Sequence, residues 1–290
     1  MLERHGLYTK YALGQNFLVN DDIIRKIIEL SDVQPTDHIL EVGPGIGTLT
    51  AALLRCSGHV TSIEFDTDLP AVLADTLSPW HERFTLLRMN ALDVEVNDVE
   101  QIEDAPIGEI GKSPLPNKMV SNLPYAVAAT VTLDYLQKFD CLESLTIMVQ
   151  KEVADRMMAK PGTKTYGAYT VKLSMYAKPV DRFHVGSGNF FPPPRVDSAV
   201  IRLDRAVAHD ETGRELTTDE LRAVCAMADA AFTTRRKTIA NSCKTYFSES
   251  PEVIERLPLI FERANVDPRR RGETLDHREF IQLGLAYCES

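Results

Sequence analysis

The chain has 290 residues, 44% of them hydrophobic, enough for one large domain or for a large one plus a small one with a substantial core. Its formal net charge of −10 at first speaks against a nucleic-acid partner. The five cysteines (Cys56, Cys141, Cys225, Cys243 and Cys288) are scattered without a Cys-x-x-Cys pair, which argues against a disulfide framework and a zinc site.

The start, Met1-Leu2-Glu3-Arg4-His5, carries no apolar signal core, and no later run is long enough to span a membrane, so a cytoplasmic location is expected. Elements then alternate. Residues 37–42 read as a buried strand, followed by the loop Gly43-Pro44-Gly45-Ile46-Gly47 and a helix over 48–56. A second strand is expected over 59–65, a second helix over 68–77 and a third strand over 84–89. A fourth strand over 118–121, a helix over 128–139 and a fifth strand over 144–149 follow. Between them, 95–117 is acidic and rich in Gly and Pro, and reads as irregular connection. This alternation implies a mostly parallel sheet covered on both faces. After a helix over 152–158 the pattern shifts to strand-like runs over 171–176 and 196–203, expected as an antiparallel edge. Residues 206–214 read as a polar linker, and from Thr218 onward the pattern is helical. The expected domains are 1–205 and 206–290.

The glycine loop resembles a nucleotide-binding turn, because glycines let backbone approach a ligand and adopt positive φ. Its spacing is G-x-G-x-G, with Thr48 where the third glycine of a dinucleotide loop would fall. Together with Glu41, two residues before Gly43, that form resembles S-adenosylmethionine (SAM) sites. The loop alone does not separate SAM from a dinucleotide; the spacing favours SAM. Glu64 ends the second strand and can accept bonds from ribose hydroxyls. Asn90 ends the third strand and can contact the cofactor's adenine amine.

Asn122-Leu123-Pro124-Tyr125 follows the fourth strand. It places an amide, a rigid turn and an aromatic ring at a strand tip, where open α/β sheets bind ligands. The ring can stack on a flat substrate while the amide oxygen accepts from its exocyclic amine. Adenine fits best. Asn122 Oδ1 and the carbonyl of Leu123 or Pro124 are the candidate acceptors, and Tyr125 and Phe190 the candidate clamps of the base faces. The seven histidines are scattered and no metal-ligand spacing is found.

The charge is unevenly spread. Residues 1–150 hold 10 basic and 22 acidic side chains, and residues 151–290 hold 22 and 20. Lys151, Arg156, Lys160, Lys164, Lys172 and Lys178 form one basic cluster. Arg235-Arg236-Lys237 and Arg269-Arg270-Arg271 form two more. Patches, rather than whole-chain charge, make a footprint for phosphate backbones. Arg235, Arg236 and Lys237 follow a helical apolar pattern and are expected to grip RNA.

Five motifs occur in order: 14–18 (GQNFL), Gly43–Gly47, Asn122–Tyr125, Phe190–Ser198 (FFPPPRVDS) and Phe232–Thr238 (FTTRRKT). Together they resemble the bacterial rRNA adenine dimethyltransferases of the kasugamycin-susceptibility type, from about residue 10 to the C-terminus. The resemblance implies a Rossmann-like SAM-dependent methyltransferase sheet with a small all-α RNA-binding domain. It implies dimethylation of two adjacent adenines near the 3′ end of small-subunit rRNA in an assembly intermediate, by a monomer. By similarity, Asn16, Leu18, Gly43, Glu64, Asn90 and Asn122 contact the cofactor. Asn90 stands where the family usually carries an aspartate, and the acidic segment before the fourth strand is a second departure.

Overall fold

The computed structural model describes Arg4, Gly6, Tyr8, residues 15–100 and residues 115–289. Gly14 of the first motif and residues 101–114 of the acidic segment lie outside them. The chain divides into two compact units, residues 1–154 with 179–205 and residues 155–178 with 206–290. The second includes residues 155–178, so the division is not the single cut after 205 expected from the sequence.

The first unit is built on a seven-stranded sheet in the order β4-β3-β2-β5-β6-β9-β7. The strands are β2 (His38–Val42), β3 (His59–Ile63), β4 (Phe84–Leu87), β5 (Lys118–Asn122), β6 (Ser144–Gln150), β7 (Ala177–Val185) and β9 (Ser198–Arg205). Those from β2 to β6 pair in parallel, and β9 runs antiparallel to β6. All five residues of β2 and of β3 are buried, as strands of a parallel sheet covered on both faces are, with the polar ones (such as Glu41 and Ser62) hydrogen-bonded inside. A separate two-stranded ribbon pairs β1 (Phe17–Leu18) with β8 (Phe190–Phe191).

The strand order places the chain's reversal at β2. From β2 the chain builds outward to β3 and β4, then returns to place β5 on the other side of β2. The β2–β5 ladder pairs only Ile39 with Lys118 and Leu40 with Met119 and stops short of the C-terminal ends of the two strands. Beyond those pairs the Val42 N–H donates to the Ser121 hydroxyl at 2.9 Å. A crevice at such a switch point is where open α/β sheets bind ligands.

Helices α1 (Asp21–Ser31), α2 (Thr48–Cys56), α3 (Leu69–Thr76) and α5 (Ala128–Lys138) cover the sheet. The sequence reading did not assign α1, although its Ile23, Ile24 and Ile27 face the core. Asn20 caps it, accepting from the Asp22 N–H at 2.9 Å, and Asp21 and Asp22 suit the positive end of the helix. In the acidic segment the described part forms the short helix α4 (Val96–Glu100).

One expected strand is a helix. Residues 171–176 fall mostly in α7 (Ala168–Ser174), whose Thr170, Val171 and Leu173 are buried. Six residues of mixed polarity satisfy either period, and the core settles the choice. Val171 and Met175 lie in the same buried cluster as Val224 and Phe280. Nearby, the Tyr166 hydroxyl donates to Leu275 O at 2.8 Å. The strand β7 begins after a two-residue turn that follows α7, and was not expected. The expected linker 206–214 folds back on itself, with His209 bridging Glu215 and Asp210 pairing with Arg214 at 3.1 Å.

The second unit also contains the last residues of α6 (Lys151–Met157), together with α8 (Thr218–Phe232), α9 (Ile239–Tyr246), α10 (Pro251–Arg263) and α11 (His277–Cys288). Capping boxes start α8 (Thr217 with Glu220) and α11 (Asp276 with Glu279). Gly284 lets α11 approach α8: a Cβ there would lie 2.7 Å from the Val224 backbone nitrogen.

Candidate active site

A cavity of about 570 Å³ opens at the switch point, within the usual size range for small-molecule sites. Its lining draws on the tips of four neighbouring strands and on the segment before α1. After β2, Gly43, Gly45 and Gly47 take φ of 71°, 58° and 85°. Gly45 has a second constraint, since a Cβ there would lie 2.8 Å from the Phe17 ring. Gly43 lies against Pro124 across the crevice, which brings the two strand-tip motifs together.

The acids sit beneath and beside the loop. Glu64 lines the cavity after β3 and accepts from the Asp66 N–H at 2.8 Å. Burial pushes its carboxyl up, and N–H groups of Asp66, Gly45 and Phe65 oppose that shift. Glu41 is buried at the cavity floor and accepts from the Thr50 and Ser62 hydroxyls, each at 2.7 Å. Burial pushes it up to about 7 despite those bonds, with the charge of Glu64 adding to the effect. Asn90 lines the cavity after β4, and its Oδ1 accepts from the Leu92 N–H at 3.2 Å. That bond uses one of its two acceptor sites and leaves one for a ligand amine.

Residues 15–18 form one wall, and the segment 15–20 is tied down at three points. Asn122 Nδ2 donates to Asn16 O at 3.3 Å. Gln15 Nε2 donates to Asp66 Oδ2 at 2.7 Å. Asn20 Nδ2 donates to Asn189 Oδ1 at 2.7 Å, next to the β1–β8 ribbon. Asn16 and Leu18 therefore line the cavity together with Gly43, Glu64, Asn90 and Asn122, the six positions expected for the cofactor.

On the acceptor side, Asn122, Leu123, Pro124 and Tyr125 all line the cavity. With Nδ2 of Asn122 held by Asn16 O, Oδ1 is the part of the amide left to accept. The Pro124 carbonyl accepts from the Val127 N–H at 3.1 Å, at the start of α5. Of the two candidate carbonyls, Leu123 O accepts no hydrogen bond among the described residues and keeps both acceptor sites, whereas Pro124 O keeps one. The Tyr125 hydroxyl is 2.5 Å from the Ser198 hydroxyl. The Pro-rich motif therefore reaches the site through its last residue, and burial keeps the Tyr125 phenol neutral by pushing its pKa up.

Phe190 does not line the cavity. It is 4% exposed and belongs to the core cluster that contains Leu18, its partner in the β1–β8 register. Residues that the sequence reading missed are Gln15, Phe17, Glu41 as a lining group, Phe65 and Asp66. Glu41 had a signal, its place two residues before the first glycine; the others become visible only once residues 15–20 are seen to fold over the loop. Arg235, Arg236 and Lys237 lie outside the cavity, in the second unit. Arg235 pairs with Glu273 at 3.0 Å, and Arg236 and Lys237 are exposed. Among the described residues no group of three His, Cys, Asp or Glu side chains is placed to hold a metal ion.

Sheet order, glycine turn and strand-tip acids define a Rossmann-like fold of the methyltransferase kind. The profile of the ribosomal RNA adenine dimethylases matches residues 7–283, and the chain belongs to that family. The chain is 36% identical over 286 residues to ribosomal RNA small subunit methyltransferase A of Geobacillus kaustophilus, covering 99% of this chain and 93% of that one. It is 34% identical to the protein of the same name from Enterococcus faecalis, covering 99% and 92%. Among solved structures, a dimethyladenosine transferase from Plasmodium falciparum superposes with a TM-score of 0.74 at 21% identity, over 94% of this chain and 98% of that one. The 23S rRNA methyltransferase ErmE superposes with a TM-score of 0.63 at 24% identity, over 94% and 100%. These two likenesses bear on the fold alone.

Proposed function

We propose that the chain transfers methyl groups from SAM to the N6 amines of two adjacent adenines near the 3′ end of small-subunit rRNA. The observation that carries this reading is the pair of uncommitted acceptors at the tip of β5. Asn122 is anchored through Nδ2, so its Oδ1 and the Leu123 carbonyl are available to the two hydrogens of one exocyclic amine. The adenine lone pair is delocalised into the ring, and two acceptors on its hydrogens draw the nitrogen toward a tetrahedral geometry that frees it. Tyr125, fixed by Ser198, offers a face for the base, and stacking contributes about 1–3 kcal/mol per base.

The residues fit the cofactor: Glu64 suits ribose hydroxyls, the Gly45 turn suits a close backbone approach, and Asn90 retains an acceptor for an adenine amine. When bound, the cofactor supplies the methyl as a sulfonium, and catalysis on the protein side is mostly positioning. The amine proton leaves to water after the new N–C bond forms, so no dedicated base is required. The target base must be unstacked, which a loop or single strand allows most easily.

The first unit is read as the methyltransferase domain and the second as an RNA-binding domain acting on a small-subunit assembly intermediate in the cytoplasm, as a monomer. No described helix is long and apolar enough to cross a membrane. The full-length identity to small-subunit methyltransferases supports the small subunit over the large one, since the likeness to ErmE concerns fold. The test is nucleoside mass analysis of unmethylated small and large subunits treated with the chain and SAM. Dimethyladenosine in the small subunit alone is expected; its absence there, or labelling of the large subunit alone, refutes the reading.

A further inference from the structure

The ribbon of β1 and β8 has two faces. In an antiparallel pair, directly opposed residues share one face and their chain neighbours point to the other. Leu18 and Phe190 are opposed, each is 4% exposed, and both belong to one core cluster. Phe17 and Phe191 are opposed on the other face. The Phe17 ring lies against the cofactor loop, where a Cβ on Gly45 would meet it at 2.8 Å. Phe191, its partner, is 62% exposed. A single exposed ring is ordinary by itself; the place of this one is not.

That place is braced from both ends. On one side the ribbon fixes Phe191 beside the wall of the cofactor cavity. On the other, Pro192, Pro193 and Pro194 follow, each with φ held at about −65° by its ring. They lead to Asp197, which accepts from the Ser187 N–H at 3.3 Å and pairs with His184 at 3.1 Å. The Asp197 carbonyl accepts from the Lys151 N–H at 3.0 Å. The next residue, Ser198, meets the Tyr125 hydroxyl. Phe191 thus stands on a pinned segment that runs from the cofactor wall to the acceptor motif, outside the cavity that both of them line. A ring held in this way loses little freedom on binding.

The chemistry of the site names the occupant. An adenine taken out of its stack leaves the adjoining base without a stacking partner. An exposed aromatic ring beside the pocket supplies a replacement face, and such stacking tolerates any base. We propose that Phe191 stacks on the nucleotide adjoining the adenine in the pocket and so holds the strand open during methyl transfer. The inference rests on the reading of the chain as an RNA adenine methyltransferase and adds a substrate contact outside the pocket. With two adjacent target adenines, that nucleotide is the other adenine in one of the two reactions.

The test uses the full chain, reconstituted unmethylated small subunits, and S-adenosylhomocysteine in place of SAM to prevent turnover. One of the two adenines is replaced by 2-aminopurine, which lacks the N6 amine and fluoresces more strongly when unstacked; the other adenine remains the target. In one of the two placements the probe is expected to be dim in the wild-type complex and several-fold brighter with Phe191→Ala. Affinity for the subunit should fall roughly 5- to 150-fold in Phe191→Ala and Phe191→Leu and stay near wild type in Phe191→Trp. SAM affinity by calorimetry and Tm should hold in all three variants, because the ring is largely exposed and lines no part of the cavity. Equal brightness with wild type and Phe191→Ala in both placements overturns the inference. So does wild-type affinity in Phe191→Leu, which would make the position an apolar contact for a protein partner. Absence of dimethyladenosine after treatment with SAM, with the Phe191-dependent affinity intact, overturns the proposed activity and leaves a base contact at Phe191.

Discussion

Asn122 makes two different demands on one amide: Nδ2 is spent on Asn16 O so that Oδ1 is presented outward. Removing a preorganised hydrogen-bonding group of this kind costs on the order of 10²–10³ in rate. Asn122→Ala should therefore lower single-turnover methyl transfer by about a hundredfold or more, with RNA affinity retained. Tyr125 separates ring from hydroxyl. Tyr125→Ala should cost about 10- to 100-fold in kcat/KM, by loss of stacking. Ser198→Ala should cost only a few-fold, because the ring remains and loses one restraint. Equal losses in the two variants would mean that the hydroxyl, not the ring face, is what matters. Phe190 is different: as a buried core ring beside Leu18, its replacement by Ala should lower stability by about 3 kcal/mol in denaturant unfolding. A rate loss at unchanged stability would instead return it to the base-clamping role suggested by the motif.

Among the elements, α8 and α11 cross with no room for a side chain at Gly284. Ala is favoured over Gly within a helix by about 1 kcal/mol, so propensity alone predicts that Gly284→Ala stabilises. The Val224 backbone nitrogen, 2.7 Å from the would-be Cβ, decides against it, because backbone cannot rotate aside. Overpacking costs typically 1–3 kcal/mol, and a net loss of about 1–2 kcal/mol in urea unfolding is expected. The early end of the β2–β5 ladder is an element-scale feature of the same importance for function. Each strand is ordinary by itself, and the crevice exists because their ladder ends early.

At the scale of the whole molecule, buried carboxyls at the cavity floor make stability depend on pH. An unfolded glutamate titrates near 4.5, whereas burial raises Glu41 to about 7 in the folded chain. Between those values the folded chain holds the extra proton, so this group favours folding most at low pH and loses that contribution as pH rises through 7. Glu41→Gln cannot lose a proton. The difference in Tm, wild type minus variant, should fall from about pH 5 to pH 8, and a flat difference would show that Glu41 titrates normally. Asp37 opposes this trend. Although burial raises its carboxyl, the bonds from Asn117 and Lys118 win and hold it below the usual range, so its contribution is lost only in acid.

The sequence by itself determined the parallel sheet, the glycine turn, the acids at the strand tips and the Asn122–Tyr125 acceptor. Each is written in a contiguous run whose period or turn chemistry is local. It also carried the basic clusters, as residues near one another in the chain. Only the tertiary structure decided that 171–174 are helical, since a short run of mixed polarity satisfies two periods and the core into which it packs selects one. The same holds for Leu123 O over Pro124 O, for Phe190 in the core, and for the wall made by residues 15–18. Those choices rest on hydrogen bonds and packing between residues far apart in sequence, such as Asn122 with Asn16 and Tyr125 with Ser198. No local pattern encodes such pairings, because chain topology alone brings the partners within reach.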